Sequence, residues 1–376
     1  MKLLFAIKSM NGAGGGAERV MAEVANGLAA RGHRVSVLTF DTPGNSFYPL
    51  SSQVGRIDMA CGEAGQSLSI SQFISAIPRM RRAVRSAQPD LVIPFMHSTY
   101  VPVYLALRGL DVNFLAAEHT AFRHFESRPF QRTLRKLVVS RCASSTSVSE
   151  YARQSFLQND NLDSFVVPNP INVAEFSQSI SSAAVDPPTV LSVGNLRAEK
   201  DYITLVSAFA EVASDFPDWR LRIVGEGNLR WYLEKQCSQL GLSDNVEFVG
   251  FSKNVAAEYS QARFIVSSSI YESFGLVAAE ALASSRAVLA FDDCGGLAEI
   301  VTNEVNGILV FGAHSRAERT RSLAEGLRRL MSDPELCSRL GNAGPASVAR
   351  YDLSSVLDRW EEVIMLAVGR AHGRER

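Results

Sequence analysis

The sequence predicts an α/β chain of two doubly wound parallel-sheet domains in tandem, facing each other across a cleft. Three observations carry this. Short apolar runs recur that are hydrophobic throughout rather than at every second residue, as strands covered on both faces must be. Longer stretches of helical spacing separate them. The alternation stops once, in the Ser-, Ala- and Pro-rich stretch VVPNPINVAEFSQSISSAAVDPP, and then restarts, which marks a linker.

In the first series KLLFAIK opens the chain and a helix over Ala17–Arg31 follows. RVSVLTF, a helix near 71–87, DLVIPF, NFLAAE and STSVS complete it. The second series begins at TVLSVGNL and runs through WRLRIVGEG, NVEFVGF, RFIVSSS, AVLAF and NGILVF, with helices over 201–215 and 229–240. From about 316 the chain is helical. LSSVLDRWEEVIMLAVGR keeps apolar residues at helical spacing and either returns to the first domain or simply caps the second. The expected boundaries are 1–172 for the first domain, 173–188 for the linker, 189–350 for the second domain and 351–376 for the terminal helix.

Hydrophobic residues make up 46% of the 376, ample for two cores. Net charge is −1; basic residues prevail in the first half and acidic ones in the second. That division fits an ordinary solvated surface as well as a first domain facing phosphates or a membrane. No nucleic-acid partner is expected. The five cysteines are scattered without a CxxC pair, so neither a disulfide framework nor a zinc site is indicated, and a reducing cytoplasm is the default compartment. No stretch reaches the roughly 18 apolar residues that span a bilayer. A soluble, at most peripheral, protein is expected.

Ligands of doubly wound sheets bind at the carboxyl ends of the strands, so the loops there are where chemistry is sought. After the first strand comes KSMNGAGGGAERV, whose Gly12, Gly14, Gly15 and Gly16 let backbone N–H groups approach an anion at the start of a helix. The same stretch reads G-x-G-x-x-A, and the next strand ends at Asp41, about where a dinucleotide fold keeps its ribose-binding acid. After the first strand of the second domain, VGNLRAEKD puts Arg197 and Lys200 where two cations neutralise a departing diphosphate, or else stand on a plain surface loop. In YESFGLVAAEALA a helix beginning near Gly275 leaves the N–H groups of Phe274, Gly275 and Leu276 for an anion. Glu272 in the preceding loop and Glu280 in the second turn then both point into the cleft, where sugar hydroxyls suit them. His119 lies just past NFLAAE, and His97 past DLVIPFM; either is a structural or a functional histidine. The segment 128–141, RPFQRTLRKLVVSR, carries five cations among apolar residues and reads as a solvated helix face or as a contact with an anionic membrane.

In order along nearly the whole chain, GGAER, EH, VVPNPIN, VGNLRAEKD, IVGEGNLR, VEFVGF, Glu272 with Glu280, and GGLAEIVTNEVNGILV resemble the retaining nucleotide-sugar glycosyltransferases of family 4, of GT-B architecture with two Rossmann-like domains. The resemblance implies a hexosyltransferase that moves a sugar from a nucleotide diphosphate donor, with UDP the commoner base, to a glycan or lipid-linked acceptor in cell-surface polysaccharide or glycoconjugate synthesis. It implies that Glu272 meets donor-sugar hydroxyls and Glu280 the ribose. Lys200 then serves the diphosphate, Gly225, Phe274, Gly275 and Leu276 the donor, Gly15 and Gly16 the phosphates or acceptor, and His119 the donor sugar. Departing from the family pattern, Asn195 stands where an arginine is usual, and Arg197 of the same loop is expected to take over. Water and sugar hydroxyls are expected to solvate both glutamates, with Lys200 and the helix N-terminus left to hold the phosphates.

No D-x-D motif is evident, so no metal or other cofactor is expected, and the work is placed in the cytoplasm, at the inner face of the membrane if the acceptor is lipid-linked. Other readings stay open. An NAD(P)-dependent oxidoreductase would use the Gly12–Ala17 turn and Asp41, and a sugar-nucleotide epimerase or a phosphorylase would share the fold.

Overall fold

The computed structural model describes residues 1–12, 15–61, 70–178 and 187–372. Gly14 of the glycine turn and 179–186 of the expected linker lie outside them. The chain divides into one unit of Met1–Pro170 with the segment from Leu353 onward, and a second of Ile171–Asp352.

Among the described residues, the first unit has seven parallel strands: β1 Lys2–Ile7, β2 Arg34–Thr39, β3 Gly55–Asp58, β4 Leu91–Pro94, β5 Leu115–Glu118, β6 Ser144–Ser147 and β7 Phe165–Val166. They run in the orders β3-β2-β1-β4 and β5-β6-β7. Parallel bridges from Val92 to Phe114 and from Phe95 to Ala117 join the two sets. Leu3 to Ile7 are at most 2% exposed, as a strand covered on both faces requires. β3 and β7 were not legible in the sequence: β3 is a half-exposed edge of GRID, and β7 has only two residues.

The terminal helix, Leu353–His372, belongs to this first unit. It lies beside the helix Gly16–Ala30, where a Cβ on Gly27 would come within 2.4 Å of Leu357 Cδ1 and would push that side chain aside. Phe5, Phe95 and Trp360, each at most 1% exposed, fill the space between helix and sheet. Burial of each such ring contributes about 1.5–3 kcal/mol.

In the second unit the strands are β8 Thr189–Val193, β9 Arg220–Val224, β10 Val246–Gly250, β11 Phe264–Ser267, β12 Ala287–Phe291 and β13 Gly307–Val310, parallel and ordered β10-β9-β8-β11-β12-β13. Val173–Gln178, at the start of the expected linker, is a helix of this unit, and Ser177 Oγ donates to the Ala283 carbonyl at 3.3 Å. Strand order reverses between β1 and β4 in one sheet and between β8 and β11 in the other. Those reversals are where loops diverge and leave a crevice at the carboxyl ends. No described helix is long and apolar enough to cross a membrane.

Candidate active site

At the β8/β11 reversal two loops are bolted together. After β8, residues 194–201 form a turn with the 3-10 segment Ala198–Lys200; after β11, residues 268–275 lead into the helix Leu276–Ala283. Ser268 Oγ donates to the Lys200 carbonyl at 2.7 Å, and the Ile270 N–H donates to the Glu199 carbonyl at 2.9 Å. Lys200 Nζ donates to Glu272 Oε1 in an ion pair, and Ser269 Oγ donates to the same oxygen at 2.9 Å. Glu272 Oε2 has no partner among the described residues. Burial alone would lower the Lys200 pKa, but the adjoining Glu272 carboxylate, by charge and hydrogen bond, raises it above the ordinary lysine value. The ammonium therefore stays charged at neutral pH, and two of its three protons remain to be given. Cys294 is fully buried near this pair, and burial followed by the Glu272 charge pushes its thiol far up.

This arrangement corrects the expectation that Glu272 and Glu280 are both solvated and that Lys200 is left to the phosphates. A partly buried carboxylate is better held by a protein partner than by water alone. Glu272 takes Lys200 as that partner. Glu280 is only 4% exposed, and Tyr259 Oη donates to its Oε2 at 2.8 Å.

Glycines set the approach of these loops. Gly275, with φ +103, is the residue before the helix, and a Cβ there would meet Leu297 Cδ2 at 2.6 Å. A Cβ on Gly296 would lie 2.5 Å from the Glu272 carbonyl oxygen and 2.8 Å from the Phe274 nitrogen. Phe274 is buried against Tyr351, so the first amides of the helix, Leu276 among them, sit on a fixed turn without carbonyls one turn back. Gly225, after β9, backs onto the β8 loop: its Cβ would fall 2.0 Å from the Gly194 carbonyl oxygen. Arg197 is exposed, and its guanidinium has no partner among the described residues.

In the first unit the glycine turn is tied from below. Asp41, 2% exposed, accepts the Met10 N–H at 2.7 Å and the Asn11 N–H at 3.1 Å through Oδ2. Asp41 thus holds the turn in place, and the dinucleotide alternative is not favoured. Gly15 caps the helix Gly16–Ala30, and Glu18 folds back over it: a Cβ on Gly15 would meet Glu18 Oε2 at 2.5 Å. Burial raises the Glu18 pKa against hydrogen bonds from its own amide and that of Gly15. Glu18 thus covers the helix start that Gly15 and Gly16 were expected to offer an anion. A Gly-x-x-Glu spacing, akin to a capping box, was the signal for it.

His119 follows β5, half-buried, with its ring stacked on Phe95 at 4.4 Å between centroids. Burial pushes its pKa down to about 4, although the Glu118 carboxylate and Asn169 favour the charged form. Glu118 is fully engaged: Oε1 accepts the N–H groups of His119 and Thr120, each at 3.0 Å, and Oε2 accepts Tyr100 Oη at 2.6 Å and Arg135 Nε at 3.3 Å. His97 starts the helix His97–Leu107, and burial lowers its pKa as well. Of the five cations in 128–141, Arg135 is buried and Arg132 partly exposed, and both pair with Asp160. The charged face read from that segment is correspondingly thinner. Among the described residues no three His, Cys, Asp or Glu side chains are grouped to hold a metal ion. Ser268, Ser269, Tyr259, Glu118 and Glu18 were not singled out in the sequence as supporting groups; SSS at the end of β11 and AEH at the end of β5 were the traces of the two serines and Glu118.

The family model described as Glycosyltransferase Family 4 matches residues 14–175, and the one described as Glycosyl transferases group 1 matches 173–347. An uncharacterized glycosyltransferase of Haemophilus influenzae is 26% identical over 94% of this chain and 97% of its own length. An undecaprenyl-diphosphate-linked glycan α-1,4-N-acetylgalactosaminyltransferase of Campylobacter jejuni is 24% identical over 97% of this chain and 98% of its own. Among solved structures, HepE of Anabaena in complex with UDP and glucose superposes with a TM-score of 0.76 at 21% identity, covering 97% of this chain and 99% of that one.

Proposed function

Because this chain belongs to the family 4 glycosyltransferases of GT-B architecture, we propose that it transfers a hexose-type sugar from a UDP-sugar to a hydroxyl of a glycan or lipid-linked glycan, retaining the anomeric configuration. The product belongs to a cell-surface polysaccharide or glycoconjugate, made on the cytoplasmic side. The Campylobacter relative, named for an undecaprenol-linked acceptor, supports the acceptor class, and the Anabaena neighbour, bound to UDP and glucose, supports the donor.

The observation that carries the reading is the Lys200–Glu272 pair at the β8/β11 reversal, with Ser269 on the shared oxygen. Ser269 and Lys200 occupy Oε1 and leave Oε2 to accept a donor-sugar hydroxyl. Lys200 gives its remaining protons to the diphosphate, assisted by the unpaired Arg197 and by the amides of Phe274, Gly275 and Leu276. Glu280, held by Tyr259, takes the ribose, and Gly225 shapes the donor loop from behind. In the first unit neutral His119 meets a donor-sugar hydroxyl, and Gly15 and Gly16 meet phosphate or acceptor once Glu18 moves aside.

In the reaction the bond from the anomeric carbon to the β-phosphate oxygen breaks, its electron pair leaving with the phosphate. The acceptor oxygen attacks from the same face through an oxocarbenium-like state and passes its proton to that departing oxygen. Lysine and arginine supply the cationic stabilisation, so no metal is required. A panel of UDP-glucose, UDP-galactose, UDP-GlcNAc, UDP-GalNAc and GDP-mannose, followed by mass spectrometry of the products with and without EDTA, tests this. Turnover of a UDP-hexose that survives EDTA is expected. Turnover lost to EDTA and restored by manganese, or stabilisation by NAD(H) with no sugar turnover, would overturn it.

A further inference from the structure

The aromatic column behind His119 gives the last helix of the chain a part in handling the donor sugar. β4 and β5 are parallel neighbours, and Phe95 bridges to Ala117, two residues before His119. Side chains two apart along a strand share a face, so Phe95 and His119 point the same way. Their rings stack, with centroids 4.4 Å apart and planes 24° from parallel. Phe95 also meets Trp360 of the helix Leu353–His372, at 5.8 Å and 11°. Phe5 of β1 closes the column edge-on, 5.9 Å from Phe95 and 6.3 Å from Trp360.

The indole itself is a costly choice here. Trp360 is 1% exposed, and its ring N–H meets no acceptor among the described residues. A buried donor left without an acceptor weakens a core, and a phenylalanine would avoid that. What the indole supplies is a wide flat face parallel to Phe95, the ring on which the imidazole stacks.

We propose that Phe95 and Trp360 are positioning residues for His119: the column holds the imidazole in one plane and one depth, so that its ring nitrogen meets the donor-sugar hydroxyl in a single orientation. The proposal rests on the reading of His119 as a donor-sugar contact. Glu118 fixes the backbone of His119 by its hydrogen bond to the amide, and the column fixes the ring. The two constraints act on different torsions, so neither replaces the other.

The test is made on the full chain labelled with 13C-histidine, with the panel sugar of highest kcat/KM as substrate and with UDP as the sugar-free ligand. In the wild type the His119 ring protons, assigned by H119A, resonate upfield of those of the other histidines, because they lie over Phe95. Trp360→Ala and Phe95→Leu should move that resonance toward the others and lower kcat about tenfold, since small misplacements of a contacting group are expensive in rate. The Kd for UDP should not change. Trp360→Phe keeps a narrower ring at the same place and should recover only part of the signal and the rate. It also serves as the folded control where Phe95→Leu proves unstable. Wild-type kcat in Trp360→Ala, with H119A impaired, would overturn the positioning role. Wild-type kcat in H119A would instead overturn the reading beneath it, whether or not the resonance moves.

Discussion

At the scale of single residues the chemistry rests on how Glu272 divides its two oxygens. Oε1 receives both Lys200 and Ser269, which leaves one acceptor whose direction is set by two donors on separate loops. Glu272→Gln keeps the shape but removes the negative charge, so the lysine loses its counterion and the sugar loses its strongest acceptor. Turnover should fall on the order of 100-fold, the scale of losing one preorganised group at a reacting centre. The circular-dichroism spectrum should stay that of the wild type, because the side chain remains half-exposed rather than buried in a core. Near-wild-type turnover would remove Glu272 from the site. Glu272 was legible in the sequence because charge in an otherwise apolar, glycine-bearing stretch is conspicuous, and Lys200 because its loop follows the first strand of the second domain. Their pairing was not, since 72 positions separate them and only the neighbouring order of β8 and β11 brings them together. Ser269 and Tyr259 were illegible for another reason: a serine or tyrosine beside a strand is as often structural, and nothing local says which carboxylate it serves.

Among elements, runs such as LLFAI and AVLAF could be read as strands because each is buried on both faces and so is apolar throughout. GRID of β3 could not, being a partly exposed edge without that signature. Equally hidden were the close approaches between loops that several glycines allow. Gly296 is the clearest, since its missing Cβ is what lets the β12 loop lie against the backbone of Glu272 and Phe274. Gly296→Ala should push that backbone away, costing about 1–3 kcal/mol in stability and displacing Glu272 from Lys200. Gly241 provides the comparison, with φ +71 and nothing within 4 Å of an added Cβ. Gly241→Ala should cost about 1 kcal/mol through backbone strain alone and leave kcat untouched. Thermal unfolding and steady-state rates on the two variants measure both halves of this contrast, and a fully active Gly296→Ala would contradict it.

For the whole molecule, the two units should respond to pH in opposite directions, because they bury different kinds of ionisable group. Unit one buries histidines. His119 falls from its ordinary 6.5 to about 4, chiefly through burial, and His97 is also lowered. Between those values the unfolded chain binds more protons than the folded one, so stability rises with pH. The neutral-histidine contribution is complete above about pH 6.5 and is lost as pH falls toward 4, a change of about 3 kcal/mol for His119 alone. Glu118 adds to the acid loss: burial would raise its pKa, but His97, Arg135 and the Tyr100 and Thr120 hydroxyls bring it below the ordinary 4.5. Its contribution is present above 4.5 and goes as pH falls through the lowered value. Unit two has one histidine, the exposed His314, and its distinctive group is Lys200, raised by Glu272. That contribution is present below the ordinary 10.5 and is lost only as pH rises through the raised value. Hydrogen exchange followed by mass spectrometry, corrected for the intrinsic rate, should therefore show protection around β4 and β5 declining from pH 6.5 to 4.5 while that around β8 and β11 holds. Replacing His119 by Gln should flatten the decline, since glutamine has no proton to gain. An acid decline of the same size in that variant, or one shared equally by β8 and β11, would mean that the buried imidazole does not set the acid limit of the first unit.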